Sequence, residues 1–169
     1  MLSEQERQKI AQEMKLHEQP RGAISEALLI VQEHRGWVPD EALPEVASML
    51  GVSAADVEAV ATFYELIFRR PVGTHVILLC DSVSCWITGE PRLSEHLQKK
   101  LGVALGGTTP DGQFTLLPAG CLGACDAGPA MMIDGKLFDT LTPEKADEIL
   151  AQYGTAQNGM GADAQTSHG

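Results

Sequence analysis

The chain has 169 residues, of which 44% are hydrophobic and 21% are charged, a composition close to that of ordinary soluble globular proteins. Its 12 Lys and Arg residues against 23 Asp and Glu residues give a formal net charge of −11, which disfavours binding to phosphate backbones and anionic lipid. The longest aliphatic runs have five residues, whereas a membrane-spanning helix needs about 20. The composition therefore predicts a folded protein without a membrane span.

The first 72 residues are predicted to form a bundle of four short helices. Ser3 and Glu6 stand in the capping-box relation at the start of the first helix. Gly36 and Gly51 follow the second and third helical patterns, where a glycine commonly ends a helix. The spacing of apolar residues in each segment matches one face of a helix.

After Val72 the pattern changes to short aliphatic strands separated by turns. The predicted strands and helices of residues 73–154 are β over His75–Cys80, α over 91–101, β over 114–117, 130–133 and 137–141, and α over 143–153. The pair Asp134-Gly135 predicts a hairpin between the last two strands. Residues 155–169 are polar and rich in glycine, and we expect this tail to be disordered.

The N-terminal segment and the number of cysteines bear on the cellular compartment. Residues 1–16 carry acidic side chains and no apolar block, unlike a secretory signal. Four cysteines in 169 residues are too few for a disulfide-built secreted scaffold. We therefore expect a cytoplasmic protein with reduced cysteines, so metal or redox chemistry is the leading hypothesis.

The four cysteines form two spaced pairs. Cys80 and Cys85 are separated by four residues, Cys121 and Cys125 by three, and 35 residues lie between the pairs. Each pair follows a predicted strand, so we expect both pairs to occupy loops at strand ends. Neighbouring strands would then bring all four thiols to one metal centre.

Several chemistries compete for this cysteine pattern. Neither pair has the Cys-x-x-Cys spacing of a dithiol redox motif, and four clustered cysteines without a ligand would be a coincidence. Structural zinc accepts four cysteines at similar spacings and stays open. A 2Fe-2S cluster is the other candidate, because Gly120, Gly123, Gly128, Ser82 and Ser84 offer N–H and O–H donors near the cysteines. The residues alone favour iron-sulfur over zinc without excluding zinc.

Two motifs identify a family. C-D-S-V-S-C over residues 80–85 and C-L-G-A-C-D-A-G-P-A-M-M-I over residues 121–133 resemble the signatures of the thioredoxin-like 2Fe-2S ferredoxin family. The resemblance implies an α+β chain: an N-terminal helical bundle (1–72) followed by a thioredoxin-like α/β domain (73–154) that carries one 2Fe-2S cluster. The cysteines that match the family's four cluster ligands are Cys80, Cys85, Cys121 and Cys125. Gly128-Pro129 stands where many relatives have Ala-Pro.

The resemblance also implies a function in electron transfer. The chain is similar to the family members that act in NADH-quinone oxidoreductase, respiratory complex I, and take an electron from the reduced FMN of a flavoprotein partner that binds NADH. The chain alone would be an electron carrier without a catalytic site, held at the inner face of the bacterial membrane through the peripheral arm of the complex. Two alternatives stay open: the corresponding diaphorase subunit of an NAD-linked hydrogenase or formate dehydrogenase, and a zinc-stabilised assembly module.

Four further features leave structural and functional interpretations open. Residues 44–63 have the shape of a helix-turn-helix, but no Lys or Arg occurs from Gly36 to Phe68, so we expect a packing scaffold instead of a DNA reader. Phe63 and Tyr64 are expected to close the helical core. Trp86 is expected to shield the metal centre, to face a partner, or to anchor the core. The first helix packs either on a partner or on its own chain.

Overall fold

The computed structural model describes residues 1–154 and divides into two compact units, Met1–Thr74 and a second that begins at His75. The predicted disordered tail, residues 155–169, lies outside the described residues. The domain boundary after Val72 stays a prediction. Within residues 1–154 no single helix is long and apolar enough to span a membrane, and only a sharply bent pair of helices passes that test by length and composition.

The N-terminal unit is a bundle of four helices. They are α1 (Glu4–Glu13), α2 (Ile24–Arg35), α3 (Ala42–Leu50) and α4 (Ala54–Phe63), with short 3-10 turns at Met14–Leu16 and Pro20–Ala23. The predicted capping box is confirmed, because the Ser3 hydroxyl accepts from the Glu6 N–H and the Glu6 carboxylate accepts from the Ser3 N–H. Gly36 and Gly51 end α2 and α3 with φ of 79° and 68°, a backbone region that favours glycine.

The first helix packs on its own chain. Ile10 is fully buried in the core of the bundle. Glu6 is also buried, and its carboxylate accepts a hydrogen bond of 2.6 Å from Arg35 Nε on α2. Of the two interpretations of α1, packing within the chain is therefore the one the structure shows.

The prediction for Phe63 and Tyr64 is wrong. Phe63 is 79% exposed and Tyr64 is 50% exposed. The inward positions of α4 are taken by Val57 and Ala61, one helical turn apart, and the helix ends before Tyr64 reaches the next inward position. The two rings instead stack edge to face, with their centroids 5.4 Å apart.

Up to residue 154, the C-terminal unit is a four-stranded sheet with three helices. Its elements are β1 (His75–Cys80), α5 (Val83–Thr88), α6 (Glu90–Leu101), β2 (Phe114–Ala119), β3 (Met131–Ile133), β4 (Lys136–Phe138) and α7 (Pro143–Gly154). The strand order is β2-β1-β3-β4, in which β1 and β2 are parallel and the other pairs are antiparallel. The predicted α+β class is confirmed. The order of elements is β-α-α-β-β-β-α instead of the predicted β-α-β-β-β-α, because the additional helix α5 lies between β1 and α6.

The predicted hairpin is also present. Asp134 and Gly135 join β3 to β4 with φ of 49° and 83°, the positive values that a tight hairpin turn requires. The core of this unit lies between the sheet and helices α6 and α7, and it includes Ile77, Leu97 and Leu150. This packing fixes the sheet that positions the cysteines.

Three chain segments meet at one edge of the sheet. Cys80 is the last residue of β1 and pairs in register with Ala119, the last residue of β2. Because parallel strands end at the same edge, the loops after β1 and β2 start side by side. The antiparallel β3 begins at this edge too, since the Cys80 N–H donates to the Ala130 carbonyl at 3.1 Å.

Candidate metal centre

The first cysteine pair is buried. Cys80 is 2% exposed at the end of β1, and Cys85 is 1% exposed within α5. The expectation that Cys85 lies in a loop is therefore wrong. Ser82 begins α5 with an extended backbone, and Gly89 ends it with φ of 117°, so one helical turn directs the Cys85 thiol toward the protein interior.

The second cysteine pair is exposed. Cys121 and Cys125 lie in the loop after β2, and their Sγ atoms are 3.8 Å apart. Gly123 lies between them with φ of 83° and donates its N–H to Cys121 Sγ at 3.4 Å. The glycine thus provides both the tight turn and a hydrogen bond to sulfur.

Each cysteine loop affects the thiols of the other. The Leu122 N–H, in the loop of the second pair, helps to lower the pKa of Cys80. The neighbouring Cys121 raises the pKa of Cys125, and the Ser84 hydroxyl beside the first pair opposes that rise. Cys80 and Cys85 also pack in one cluster with Ala124 and Ala130. The structure therefore brings both predicted cysteine pairs to one end of the sheet.

The surroundings of the buried thiols affect their pKa values in opposite directions. Burial tends to raise the pKa of Cys80, but hydrogen bonds from the Ser82 hydroxyl, the Ser82 N–H and the Leu122 N–H outweigh it, and the pKa is lowered. Burial and the neighbouring Cys80 raise the pKa of Cys85. The donors around Cys80 stabilise sulfur in its charged form, which is the form that binds metal.

Gly128 allows the chain to pass close to the first pair. A Cβ atom at Gly128 would lie 2.5 Å from Thr88 Oγ1 and 3.3 Å from Cys85 Sγ. A distance of 2.5 Å is well inside van der Waals contact, so no larger side chain fits without movement. The sequence marked Gly128 as a possible N–H donor, whereas the structure shows that its small size is what the site uses.

The sulfurs are offered to a metal centre as two pairs. Four cysteines can bind either a zinc ion or a 2Fe-2S cluster, and the cluster places two thiolates on each iron. Among residues 1–154, no three His, Cys, Asp or Glu side chains are grouped closely enough to hold a single metal ion. The N–H group that Gly123 directs at Cys121 Sγ is the kind of donor that stabilises thiolate ligands in such centres.

An exposed apolar surface adjoins the buried pair. Val83, Trp86 and Ile87 on α5 are 71%, 62% and 72% exposed, so Trp86 does not anchor the core. Asp81 and Asp126, next to Cys80 and Cys125, are exposed as well. Sequence reasoning did not recognise Val83 and Ile87, because the helical spacing that relates them is visible only once α5 is known. We call Val83, Trp86 and Ile87 the α5 face.

Comparison with known proteins gives a family and several relatives. The family model of the thioredoxin-like 2Fe-2S ferredoxins matches residues 8–154. One relative, an NADH-quinone oxidoreductase subunit from Pseudomonas aeruginosa, is 52% identical over 153 residues, covering 90% of this chain and 92% of that protein. The subunit of the same name from Escherichia coli K12 is 55% identical over 152 residues, with coverage of 90% and 92%.

A solved structure supports the fold. The NAD+-reducing NiFe-hydrogenase in its air-oxidised state superposes with a TM-score of 0.65 over 77% of this chain and 23% of the hydrogenase chain. The sequence identity is 23%, so this likeness concerns the fold alone.

Proposed function

The chain belongs to the thioredoxin-like 2Fe-2S ferredoxin family, and on that premise we propose that it is the electron-transfer subunit of an NADH-quinone oxidoreductase. We further propose that Cys80, Cys85, Cys121 and Cys125 are the four ligands of its 2Fe-2S cluster. The proposal rests on the meeting of two thiol pairs at the shared edge of β1 and β2, where Cys80 and Cys85 pack in one cluster with Ala124, the neighbour of Cys125.

The chain's own residues hold and tune this site. A bound 2Fe-2S cluster supplies one-electron chemistry. β1 and α5 fix Cys80 and Cys85 in the protein interior, where water is excluded. The Ser82 hydroxyl lies 3.3 Å from Cys80 Sγ. Together with the Ser82 and Leu122 N–H groups it lowers the pKa of Cys80, which offsets the cost of burying a thiolate. Gly128 leaves room for the segment before β3 to approach Cys85.

The exposed side of the site is where we place the electron donor. Cys121 and Cys125 are exposed, and the α5 face lies beside Cys85. We infer that the partner is the flavoprotein subunit that carries FMN and binds NADH, and that it covers the α5 face. No Lys or Arg occurs over residues 71–91, so charge complementarity calls for a partner surface that is apolar at its centre and basic at its rim.

The placement of the chain in the larger assembly follows from the same proposal. As part of NADH-quinone oxidoreductase, the chain would sit in the peripheral arm and associate with the inner face of the bacterial membrane through its partners. A diaphorase subunit of an NAD-linked hydrogenase is the second candidate. It is not favoured, because the oxidoreductase relatives are 52% and 55% identical, while the hydrogenase likeness concerns the fold alone.

The proposal is tested on the chain co-expressed with the FMN-binding subunit. We expect the two chains to copurify with FMN, iron and acid-labile sulfide, and dithionite to produce the EPR signal of a reduced 2Fe-2S cluster. A complex containing Cys121→Ala should keep FMN and lose that signal. Purification of this chain without a flavoprotein, or an unchanged signal in the variant, would contradict the proposal.

A further inference from the structure

The two cysteine pairs differ sharply in their access to solvent. Cys80 and Cys85 are 2% and 1% exposed, whereas Cys121 and Cys125 are both exposed. Thiol–disulfide exchange requires a thiolate to reach the sulfur of an incoming disulfide. In the chain without a cluster, a small oxidant can therefore reach the second pair and is kept from the first.

The exposed pair is also close to the geometry of a disulfide. The Sγ atoms of Cys121 and Cys125 lie 3.8 Å apart, and a disulfide bond is about 2.05 Å long. The two sulfurs therefore need to approach by less than about 2 Å for the bond to form. The turn residue between them, Gly123, has free space around it, since a Cβ atom there would meet nothing within 4 Å.

We propose that, when the cluster is absent, Cys121 and Cys125 form a reversible intrachain disulfide with glutathione disulfide as the oxidant, while Cys80 and Cys85 stay reduced. One thiolate attacks glutathione disulfide and releases one glutathione, leaving a mixed disulfide. The second thiolate attacks that bond and releases the second glutathione. Two cysteine thiols are oxidised, one glutathione disulfide is reduced to two thiols, and the two cysteine protons pass to the released glutathiones.

The disulfide has a consequence for cluster loading, and this consequence rests on the proposed ligand assignment. Oxidation removes two of the four proposed ligands. The oxidised chain is then unable to take up iron and sulfide until a thiol reductant opens the bond. Cluster assembly would thereby depend on the redox state of the exposed pair, whereas the buried pair stays available.

The lysine and arginine positions allow a direct test by mass spectrometry. No Lys or Arg occurs from Leu101 to Gly135, so trypsin leaves Cys121 and Cys125 in one peptide, residues 101–136. Cys80 and Cys85 fall in another, residues 70–92, because Arg70 precedes a proline. The full chain, freed of iron under reducing conditions and checked for folding by circular dichroism, is treated with glutathione disulfide without oxygen and then alkylated.

We expect peptide 101–136 to be two hydrogens lighter than the reduced peptide and not alkylated, and peptide 70–92 to carry two alkyl groups. Cys125→Ser should carry a single glutathione on Cys121, and the matched control Cys85→Ser should still form the disulfide. Oxidation in peptide 70–92, a disulfide between chains, or two free thiols in peptide 101–136 would overturn the proposal.

A second readout separates the disulfide from the ligand assignment. Iron and sulfide are offered to the oxidised chain before and after dithiothreitol. The mass of peptide 101–136 is measured at the end of the first arm to show that the disulfide is still closed, because sulfide can itself open a disulfide. We expect visible absorption of a cluster only after reduction. A disulfide that forms as expected while the oxidised chain still loads a cluster would overturn the ligand assignment of Cys121 and Cys125 and leave the oxidation chemistry standing.

Discussion

Glu6 and Arg35 form an ion pair that attaches the first helix to the second. Glu6 is 1% exposed, and the hydrogen bond from the Arg35 side chain lowers the pKa of its carboxyl from 4.5 to about 2. A shift of this size corresponds to about 3 kcal/mol of stability. Because the folded-state pKa is depressed, this contribution is fully present above pH 4.5 and is lost as the pH falls towards 2.

The first prediction compares Glu6→Gln with the unaltered chain in urea unfolding. At pH 7 the variant should be less stable by about 3 kcal/mol, because Arg35 loses its charged partner. The difference should shrink steadily as the pH falls below 4.5. The control is Glu4→Gln, an exposed site on the same helix, which should change little. A difference that is constant from pH 7 to about pH 3 would contradict the role of this pair.

Gly128 lies in close contact with Thr88, and this contact leads to a second prediction. In Gly128→Ala the new methyl group would meet Thr88 Oγ1 at 2.5 Å, and we expect a loss of stability of about 1–3 kcal/mol. The double variant with Thr88→Ala should recover part of that loss. Gly154→Ala, where a Cβ has free space, is the control. Equal stability of Gly128→Ala and the unaltered chain in urea would disprove the close contact.

Single residues also show where sequence reasoning succeeds and fails. The capping box at Ser3 and the glycine ends of α2 and α3 were predictable, because they depend on neighbours in the sequence. The exposure of Phe63 was not, since it depends on where α4 ends relative to the core. The small size required at Gly128 depends on Thr88, 40 positions away in the chain.

The helix α5 is the element that sequence patterns missed. It has six residues, and three of them, Val83, Ile87 and Thr88, are β-branched and favour helices weakly. The parallel register of β1 and β2 also could not be read from spacing. The sequence did predict that neighbouring strands place the two cysteine pairs near each other, and β1 and β2 are neighbours in the sheet. Tertiary packing around Cys85 and the backbone at Ser82 and Gly89 determine this helix.

The α5 face is the proposed docking surface for the FMN-binding subunit. Ile87→Glu places a charge on a side chain that is 72% exposed, so the chain should fold and retain iron normally. Its affinity for the FMN-binding subunit should fall about tenfold or more, because a charge in the apolar centre of an interface is costly. Leu137→Glu, on β4, is the control and should bind normally. Titration of the FMN-binding subunit with each variant measures the two affinities. Normal binding by Ile87→Glu would refute the docking surface.

The distribution of charge over the whole molecule predicts a low reduction potential. No Lys or Arg occurs over residues 71–91 or 101–135, while Asp81 and Asp126 adjoin proposed ligands. Added negative charge from an electron is therefore poorly compensated, and we expect the isolated chain to have a potential towards the plant-type ferredoxin value of about −400 mV. Asp126→Asn should raise the potential more than the distant control Asp111→Asn. A redox titration with a midpoint near or above zero would contradict this.

The change of pattern after Val72 predicts the division of the chain into a helical and a sheet-containing unit. What the sequence could not provide is the difference in burial between the two cysteine pairs. Cys80 and Cys85 are buried because they belong to β1 and α5, whereas Cys121 and Cys125 lie in the loop after β2 and are exposed. Both the partner surface and the proposed disulfide follow from this asymmetry.

Metal and sulfide analysis of the purified full chain, combined with EPR after dithionite, decides whether the four cysteines hold a 2Fe-2S cluster. We predict two iron and two acid-labile sulfide ions per chain, as the composition of a 2Fe-2S cluster requires, with the EPR signal lost in Cys121→Ala. Colourless protein that holds one zinc ion and no sulfide, or a variant with an unchanged signal, would contradict the claim that these four cysteines hold an electron-carrying cluster.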